Sequence, residues 1–521
     1  VKGIWLSALL LSSVAAGAAG KLPNIVLIVS DNQSQSLLGT YGNTEIRTPN
    51  IDRLAAEGVR FDNAYAVSGV CSPTRATLLT GLLPSQTGVH VALQAQVDVD
   101  DWSVIEEFRN LPETLKNAGY TTGLVGKYHL GEYQDPQLGF DFWVTFPGGH
   151  TTTFYNEIVV DNGNTFRTEK HLTDFWTERA IDFIKQQSAD QPFFLLLTYN
   201  GPYMLPPTVT MEPHNRFADY YQKNPPSFPQ QPVHPFLENW ARGRGPSGLM
   251  VKEGTTAWTA IGALNNQTAI INTAAETAMV DDGVGSILDT LESQGMEGDT
   301  LVIYTSDQGA SYGQHGLWGN TSWSFPFAAY DINMQIPLIF RQPGRIPAGG
   351  AVDLMVGQVD FMPTILDYIG LGDIEVANSP GKSFAASFRG EKIEWDDAVY
   401  FEFVTTRAIQ TSKWKYVRRF PSTDPRELYD LELDAGEMIN LIDSAAHADI
   451  ISELDARLTA YFDQYADPQY DLWHGGTAKG RLLDEHYGRD DIFRDRFPQW
   501  REPFVEKAEP FDYSLLEKIY D

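Results

Sequence analysis

Residues 24–33 read NIVLIVSDNQ and residues 299–309 read DTLVIYTSDQG. Each is an unbroken run of β-branched and aliphatic residues that ends in Ser-Asp and a carboxamide residue. Such a run reads as a strand buried on both faces, the kind found inside a parallel sheet. Two other stretches behave alike. YTTGLVGKYHLG (120–131) ends in Lys127 and His129, and PFFLLLTYNGPY (192–203) ends in Asn200 and Tyr203. Between strands lie helical patterns. In AAETAMVDDGVGSILDTLESQG (274–295), Val280, Val284, Ile287, Leu288 and Leu291 share one face and Gly295 supplies a stop. Alternating strands and helices predict an α/β fold, a large domain with a mostly parallel central sheet flanked by helices. Ligands of such sheets bind outside the carboxyl ends of the strands, where these polar tips fall.

The pattern changes near residue 390. AIQTSKWKYVRRF (408–420) and ELYDLELDAGEMINLID (427–443) predict short alternating strands, followed by a helix from about Asp449 to Tyr465. The expected organisation is a catalytic domain over 21–390 and a smaller C-terminal α+β domain over 391–521. That second domain has a short antiparallel sheet and a wrapped tail from Asp467. A proline-rich stretch from Pro206 to Pro246, with Trp240, Arg242 and Arg244, reads as an irregular insertion in the large domain. The acidic VDVDDW (97–102) reads as a solvated face.

Residues 1–20, VKGIWLSALLLSSVAAGAAG, have the cation, apolar run and small residues of a secretory signal peptide. The run is shorter than the ~20 residues that cross a bilayer. The expectation is a mature chain beginning near Lys21, with no membrane span, in a periplasmic or extracellular space; an uncleaved anchor is the alternative. The formal net charge of −30 argues against nucleic acid or an anionic membrane as partner. Any anion site must therefore be a local cationic pocket.

The chain has one cysteine, in VCSPTRATLLTG (70–81), and one thiol cannot close an internal disulfide. Ser72-Pro73 looks like a helix start and Gly81 its stop. Cys71 then faces the positive end of a helix, with Arg75 in the same turn, a setting that favours anions and could lower a thiol pKa. No base stands beside it in sequence. The strand tips offer Asp31, Asn32, Asp307 and Gln308, an oxygen-only donor set suited to Ca²⁺ or Mg²⁺. Together with Arg75 and Lys127 they describe a pocket for a tetrahedral oxyanion, and so an anion-ester hydrolase.

These motifs resemble the type I sulfatases of the alkaline phosphatase superfamily. CSPTRATLLTG fits the C-x-P-x-R signature. PNIVLIVSDN, TPNIDRLAAEGVRFDNAYA, GKYHLG, TSDQGASYGQHGLWG, VDFMPTILDYIG and ELYDLELDAGEMINL follow in the family's order. The resemblance implies that a dedicated maturation enzyme oxidises Cys71 to formylglycine. Its hydrate carries two hydroxyls on one carbon: one attacks sulfur and frees the alcohol, the other loses its proton, and the carbon expels sulfate as the aldehyde returns. It further implies that Asp31, Asn32, Asp307, Gln308 and an oxygen of modified Cys71 ligate Ca²⁺, with Mg²⁺ as alternative. Lys127 would polarise the sulfate, Arg75 hold the hydrate, Asp307 assist the attacking hydroxyl and His129 take the second proton.

The chain departs from the family at four places. Asn32 and Gln308 stand where an Asp and an Asn are usual. Tyr203 replaces a His, leaving Tyr203 and His315 as candidates for the leaving-group acid. Asn320 replaces a sulfate-binding Lys, for which Arg341, Arg407 or an Arg at 242 or 244 are possible substitutes. The expected substrate is a sulfated carbohydrate, ahead of a small aryl or choline sulfate ester. The alternatives are a phosphoester or phosphonate-ester hydrolase and a non-catalytic glycan-binding relative.

Overall fold

A computed structural model describes residues 21–93, 103–241 and 261–479, apart from positions 148, 150, 152, 189, 206, 207, 421 and 423. The proposed signal segment, VDVDDW, Arg242, Arg244 and the chain beyond 479 lie outside these residues.

Ten strands build the central sheet. In chain order they are β1 (Asn24–Asp31), β2 (Val59–Phe61), β3 (Thr121–Gly126), β4 (Phe142–Thr145), β5 (Ile158–Asp161), β6 (Asn164–Arg167), β7 (Phe193–Pro202), β8 (Thr300–Ser306), β9 (Leu338–Arg341) and β10 (Gly350–Val352). Their order across the sheet is β10-β2-β9-β8-β1-β7-β3-β4-β5-β6. The five pairings β8·β1, β1·β7, β7·β3, β3·β4 and β10·β2 are parallel, while β9 runs antiparallel to both its neighbours and β5 and β6 close the far edge antiparallel. All four strands expected from their apolar runs are present, side by side at the centre.

β1 shows why an unbroken apolar run suits that position. Val26 and Ile28 pack into one core, and Ile25, Leu27 and Val29 into another on the opposite face. The first core includes helices α2 (Leu172–Lys185) and α3 (Gln267–Ser293); the second includes α1 (Cys71–Thr80). α3 begins earlier than its apolar stripe suggested, because Asn266 caps it by accepting from the backbone N–H of Thr268 and Ala269.

The smaller antiparallel sheet has the order β11 (Val399–Phe403), β12 (Thr406–Gln410), β13 (Trp414–Arg419), β14 (Glu427–Asp430). Helix α4 (Ala448–Tyr465) covers it through Leu454, Leu458 and Phe462. The chain after α4 returns to the large sheet's side. Asp467 N–H donates to Ser85 O, and Lys479 pairs with Val89 as an isolated bridge. The proline-rich insertion folds over the loop that follows β8. His234 N–H donates to Gly316 O, and the Pro229 and Pro232 carbonyls rest on Gly313 and Gly316. No helix among the described residues is long and apolar enough to cross a membrane.

Candidate active site

β1 and β8 are parallel neighbours in register, Ser30 opposite Ser306, so Asp31 and Asp307 emerge together from their carboxyl ends. α1 brings Cys71 to the same point. The residue lies inside the first turn rather than just ahead of it, and Gly81 ends the helix at φ +70°. The candidate oxygens of Asp31 and Asp307 and the Cys71 sulfur all lie within 4.8 Å of one another, fully buried. Gln308 Nε2 donates to Cys71 Sγ at 3.2 Å and also meets Asn32 Oδ1. Asn32 reaches this position at φ +60°, in the left-handed region rarely used by residues other than glycine. Its backbone N–H donates to Asp307 Oδ1 at 3.0 Å.

Two cations complete the cluster. Lys127 Nζ lies 2.6 Å from Asp31 Oδ2, and Arg75 donates through Nε and Nη2 to Asp307 Oδ2 at 3.1 and 2.8 Å. Arg75 Nη1 also donates to Lys127 O, so one guanidinium ties α1 to the ends of β3 and β8. Burial opposes charge on Lys127 more than any single neighbour favours it, but Asp31 and the other acidic groups around it together outweigh burial, and the ammonium stays charged. Burial and the nearby Asp307 push the Asp31 carboxyl up to about 6, against the pull of Lys127 and Arg75.

Cys71 behaves differently from the expectation for a helix terminus. Burial, and then the Asp31 carboxylate, push its thiol above the usual range and outweigh Lys127 and Arg75. Its hydrogen points to Asp31 Oδ1 at 3.4 Å.

The structure sorts the remaining candidates. His129 sits at φ +59°, its Nε2 at 2.8 Å from Leu93 O, and its carbonyl accepts from Ser72 Oγ at 2.9 Å. Its ring lies against the Gly149 backbone, where an added Cβ would fall 1.8 Å from the imidazole. It is therefore anchored one residue from Cys71. Tyr203 lines a small apolar recess with Met204, Tyr312, Trp318 and Trp323. Tyr312 links that recess to the cluster by donating to Asn32 O at 2.7 Å. His315 is held elsewhere: its ring stacks on Tyr330 at 3.8 Å, and burial, then His234, push it down to about 4.

Asn320 turns its carboxamide into its own chain and accepts from Ser322 N and Oγ. Of the proposed substitute cations, Arg341 and Arg407 do not reach the cluster, and Arg242 and Arg244 lie outside the described residues. Arg341 pairs with Glu57 and Glu297 and lies opposite Val302, toward the start of β8. Arg407 is locked between Glu402 and Asp471. Both are corrections to the sequence reading: half-exposed Glu57 and Glu297 claim Arg341, and buried Glu402 and Asp471 claim Arg407. Two contributors escaped that reading. Thr74 Oγ1 donates to Gln308 Oε1 at 3.1 Å, and Tyr312 holds Asn32; one falls inside CSPTR and the other five residues after Asp307, so each motif carried the signal.

The donor set can be tested against a divalent ion. Asp31 and Asp307 carry two negative charges and Lys127 and Arg75 two positive ones, so the ionised cluster sums to zero. A sulfate ester brings further negative charge into a fully buried site. A dication between the two carboxylates and Asn32 Oδ1, with the Gln308 carboxamide turned to present Oε1, would more than offset it, and these oxygen donors suit a hard ion. The residues fit.

Fold and cluster together define a hydrolase with its centre at the carboxyl ends of a parallel sheet. The chain belongs to the sulfatase family, whose profile matches residues 23–371. A second profile, N-sulphoglucosamine sulphohydrolase, C-terminal, matches residues 319–464. An N-acetylglucosamine-6-O-sulfatase of Bacteroides thetaiotaomicron is 28% identical, over 89% of this chain and 91% of that protein. The uncharacterized sulfatase YidJ of Escherichia coli is 30% identical, over 86% and 88%. Among solved structures, BT4656 in complex with its substrate D-glucosamine-2-N,6-O-disulfate superposes with a TM-score of 0.69 at 25% identity, covering 85% of this chain and 98% of that one.

Proposed function

We propose that this sulfatase is exported under the direction of residues 1–20 and hydrolyses sulfate esters of a carbohydrate, with Cys71 converted to formylglycine as nucleophile. The observation that carries the reading is the setting of Cys71. Its sulfur lies at the centre of a buried, charge-balanced cluster, within 4.8 Å of carboxylate oxygens of both Asp31 and Asp307. An aldehyde hydrate at this position would supply two geminal hydroxyls, one to attack sulfur and one whose deprotonation expels sulfate. A divalent cation, Ca²⁺ or Mg²⁺, held by Asp31, Asn32, Asp307 and Gln308 would supply Lewis acidity toward the sulfate oxygens.

The chain's own residues do the rest. Lys127 stays charged and faces the position where negative charge grows on the sulfuryl oxygens. Arg75 orients Asp307, whose carboxylate is placed to take the proton of the attacking hydroxyl. His129, whose carbonyl is held by Ser72 next to Cys71, is the base for the second hydroxyl. Tyr203, at the rim of the aromatic recess beside Asn32, is better placed than His315 to protonate the departing alcohol. The carbohydrate substrate is supported by relatives named for sulfated amino sugars.

The test is sulfate release from N-acetylglucosamine 6-sulfate, beside 4-nitrophenyl sulfate and 4-nitrophenyl phosphate, with mass spectrometry of the peptide around Cys71. The expected result is a sulfated sugar turned over best, with the aldehyde mass at residue 71. Preference for the phosphate ester, or full activity with an unmodified thiol, overturns the reading.

A further inference from the structure

The motif VDFMPTILDYIG directly follows a residue with a place in the site. Gln358 opens the turn Gln358–Asp360, after the short strand Val356–Gly357 that pairs in parallel with Ala64–Tyr65. Its side chain is fully buried. Oε1 accepts from Val67 N–H at 3.2 Å, and Nε2 donates to Asp307 O at 2.6 Å and, more weakly, to Ser306 O at 3.4 Å. One carboxamide therefore spans the loop that delivers Cys71 and the strand end that delivers Asp307.

We infer that Gln358 is a positioning residue for the Cys71 site, setting the distance between the nucleophile's loop and Asp307. Three features argue for this. The bridge needs an acceptor on one side and a donor on the other, which only a carboxamide of this length offers; a carboxylate lacks the donor and an apolar side chain lacks both. The turn is itself held, because Asp360 Oδ2 accepts Gly357 N–H at 2.9 Å, so the carboxamide is presented from a fixed base. The Val67 segment is clasped from its other sides. Ala66 N–H donates to Met334 O, Val67 O accepts from Glu402 N–H, and Thr321 lies against Gly69. Gln358 is the member of this set that reaches an Asp307 atom. A nucleophile misplaced by about 1 Å can lose on the order of 100-fold in rate without loss of binding.

This inference rests on the sulfatase reading above, and its test separates the two. Gln358→Met removes both hydrogen bonds at similar length; Gln358→Glu keeps the acceptor, and serves if the first variant does not fold. For each, kcat and KM on 4-nitrophenyl sulfate are measured beside the melting temperature, the fraction of residue 71 converted, and amide hydrogen exchange over residues 64–71. The expected result is kcat lower by about 10- to 100-fold, KM within about threefold, conversion close to the parent, and melting lower by a few degrees but with the variant folded at the assay temperature. Val67 should exchange at least about tenfold faster in Gln358→Met. A folded variant with kcat within twofold of the parent, a rate loss matched by lost folded or converted protein, or unchanged Val67 exchange overturns the inference. If the parent chain itself turns over no sulfate ester, the sulfatase reading fails, and Val67 exchange still decides whether Gln358 holds the loop.

Discussion

Asp31 carries the sharpest conflict in the molecule at the scale of one residue. It is buried, 2.6 Å from Lys127, within reach of Cys71, and repelled by Asp307. A dication resolves that conflict, so removing either the ion or the charge should be severe. Asp31→Asn is expected to lower kcat/KM by at least about 100-fold, the scale on which preorganised charge acts in such sites. Exhaustive chelation should abolish turnover of the parent, and Ca²⁺ or Mg²⁺ should restore it. Turnover that persists in protein shown by elemental analysis to hold no metal would remove the cation from the reading. Asn32, His129 and His315 all sit at positive φ, a strain that recurs at functional sites. Only the first two lie beside Cys71, so a strained backbone by itself does not mark this centre.

The elements that surround the site are seated by close backbone approach and by buried carboxylates. Gly316, at φ +68°, lies so near Pro232 O that an added Cβ would fall 1.8 Å from it. Gly316→Ala should therefore push the proline-rich insertion off the loop after β8. A loss of about 1–3 kcal/mol is expected, seen as a melting temperature lower by a few degrees. An unchanged melting curve would mean the insertion is not docked there. α3 meets the helix Pro49–Ala56 through Asp281, which accepts from the N–H groups of Asn50 and Ile51 and from the Asn50 carboxamide. Burial nevertheless pushes Asp281 up to about 7. A carboxyl raised on folding contributes stability that is complete below about pH 4 and is lost as pH rises through about 7. Asp281→Asn, with the Asn50 amide turned to meet it, should remove that slope. The variant's stability relative to the parent should improve by on the order of 4 kcal/mol between pH 4 and pH 8. Parallel denaturation curves across that range would contradict the raised carboxyl.

Across the whole molecule the charge of −30 opposes its own proposed substrate. The ionised cluster around Cys71 is neutral, so a polysulfated chain approaches against long-range repulsion that salt screens over about 10 Å at 0.1 M. Turnover of a polysulfated oligosaccharide should rise between about 10 and 150 mM NaCl, chiefly in kcat/KM, while that of a monosulfated sugar stays nearly flat. Equal salt profiles for the two would mean that local charge near the site, not the net charge, governs encounter. The smaller sheet is tied to the loop that follows β8. Lys415 of β13 pairs with Asp331 and Glu437, and the turn that starts at Asp331 supplies the Asn333 carbonyl that accepts Gly309 N–H, two residues after Asp307. The C-terminal sheet thus buttresses the loop that follows Asp307.

Local pattern alone was enough to read the strands, their polar tips and the pair of Asp-carboxamide motifs, because a strand buried on both faces needs an unbroken apolar run whatever its neighbours are. The CSPTR helix was legible for the same reason, since Pro in its first turn and Gly after its last are local requirements. Only the tertiary structure decided which tips converge. It seated β1 between β7 and β8, gave Arg341 to Glu57 and Glu297 and Arg407 to Glu402 and Asp471, and parked His315 on Tyr330. It also reversed the expectation for the thiol. A helix terminus and an adjacent arginine favour the thiolate, but burial and Asp31 outweigh them, and Gln308, 237 residues along the chain, completes that enclosure. Periodicity records which side of an element is buried; the charge state of a buried group depends on which residues the fold brings against it from far along the chain.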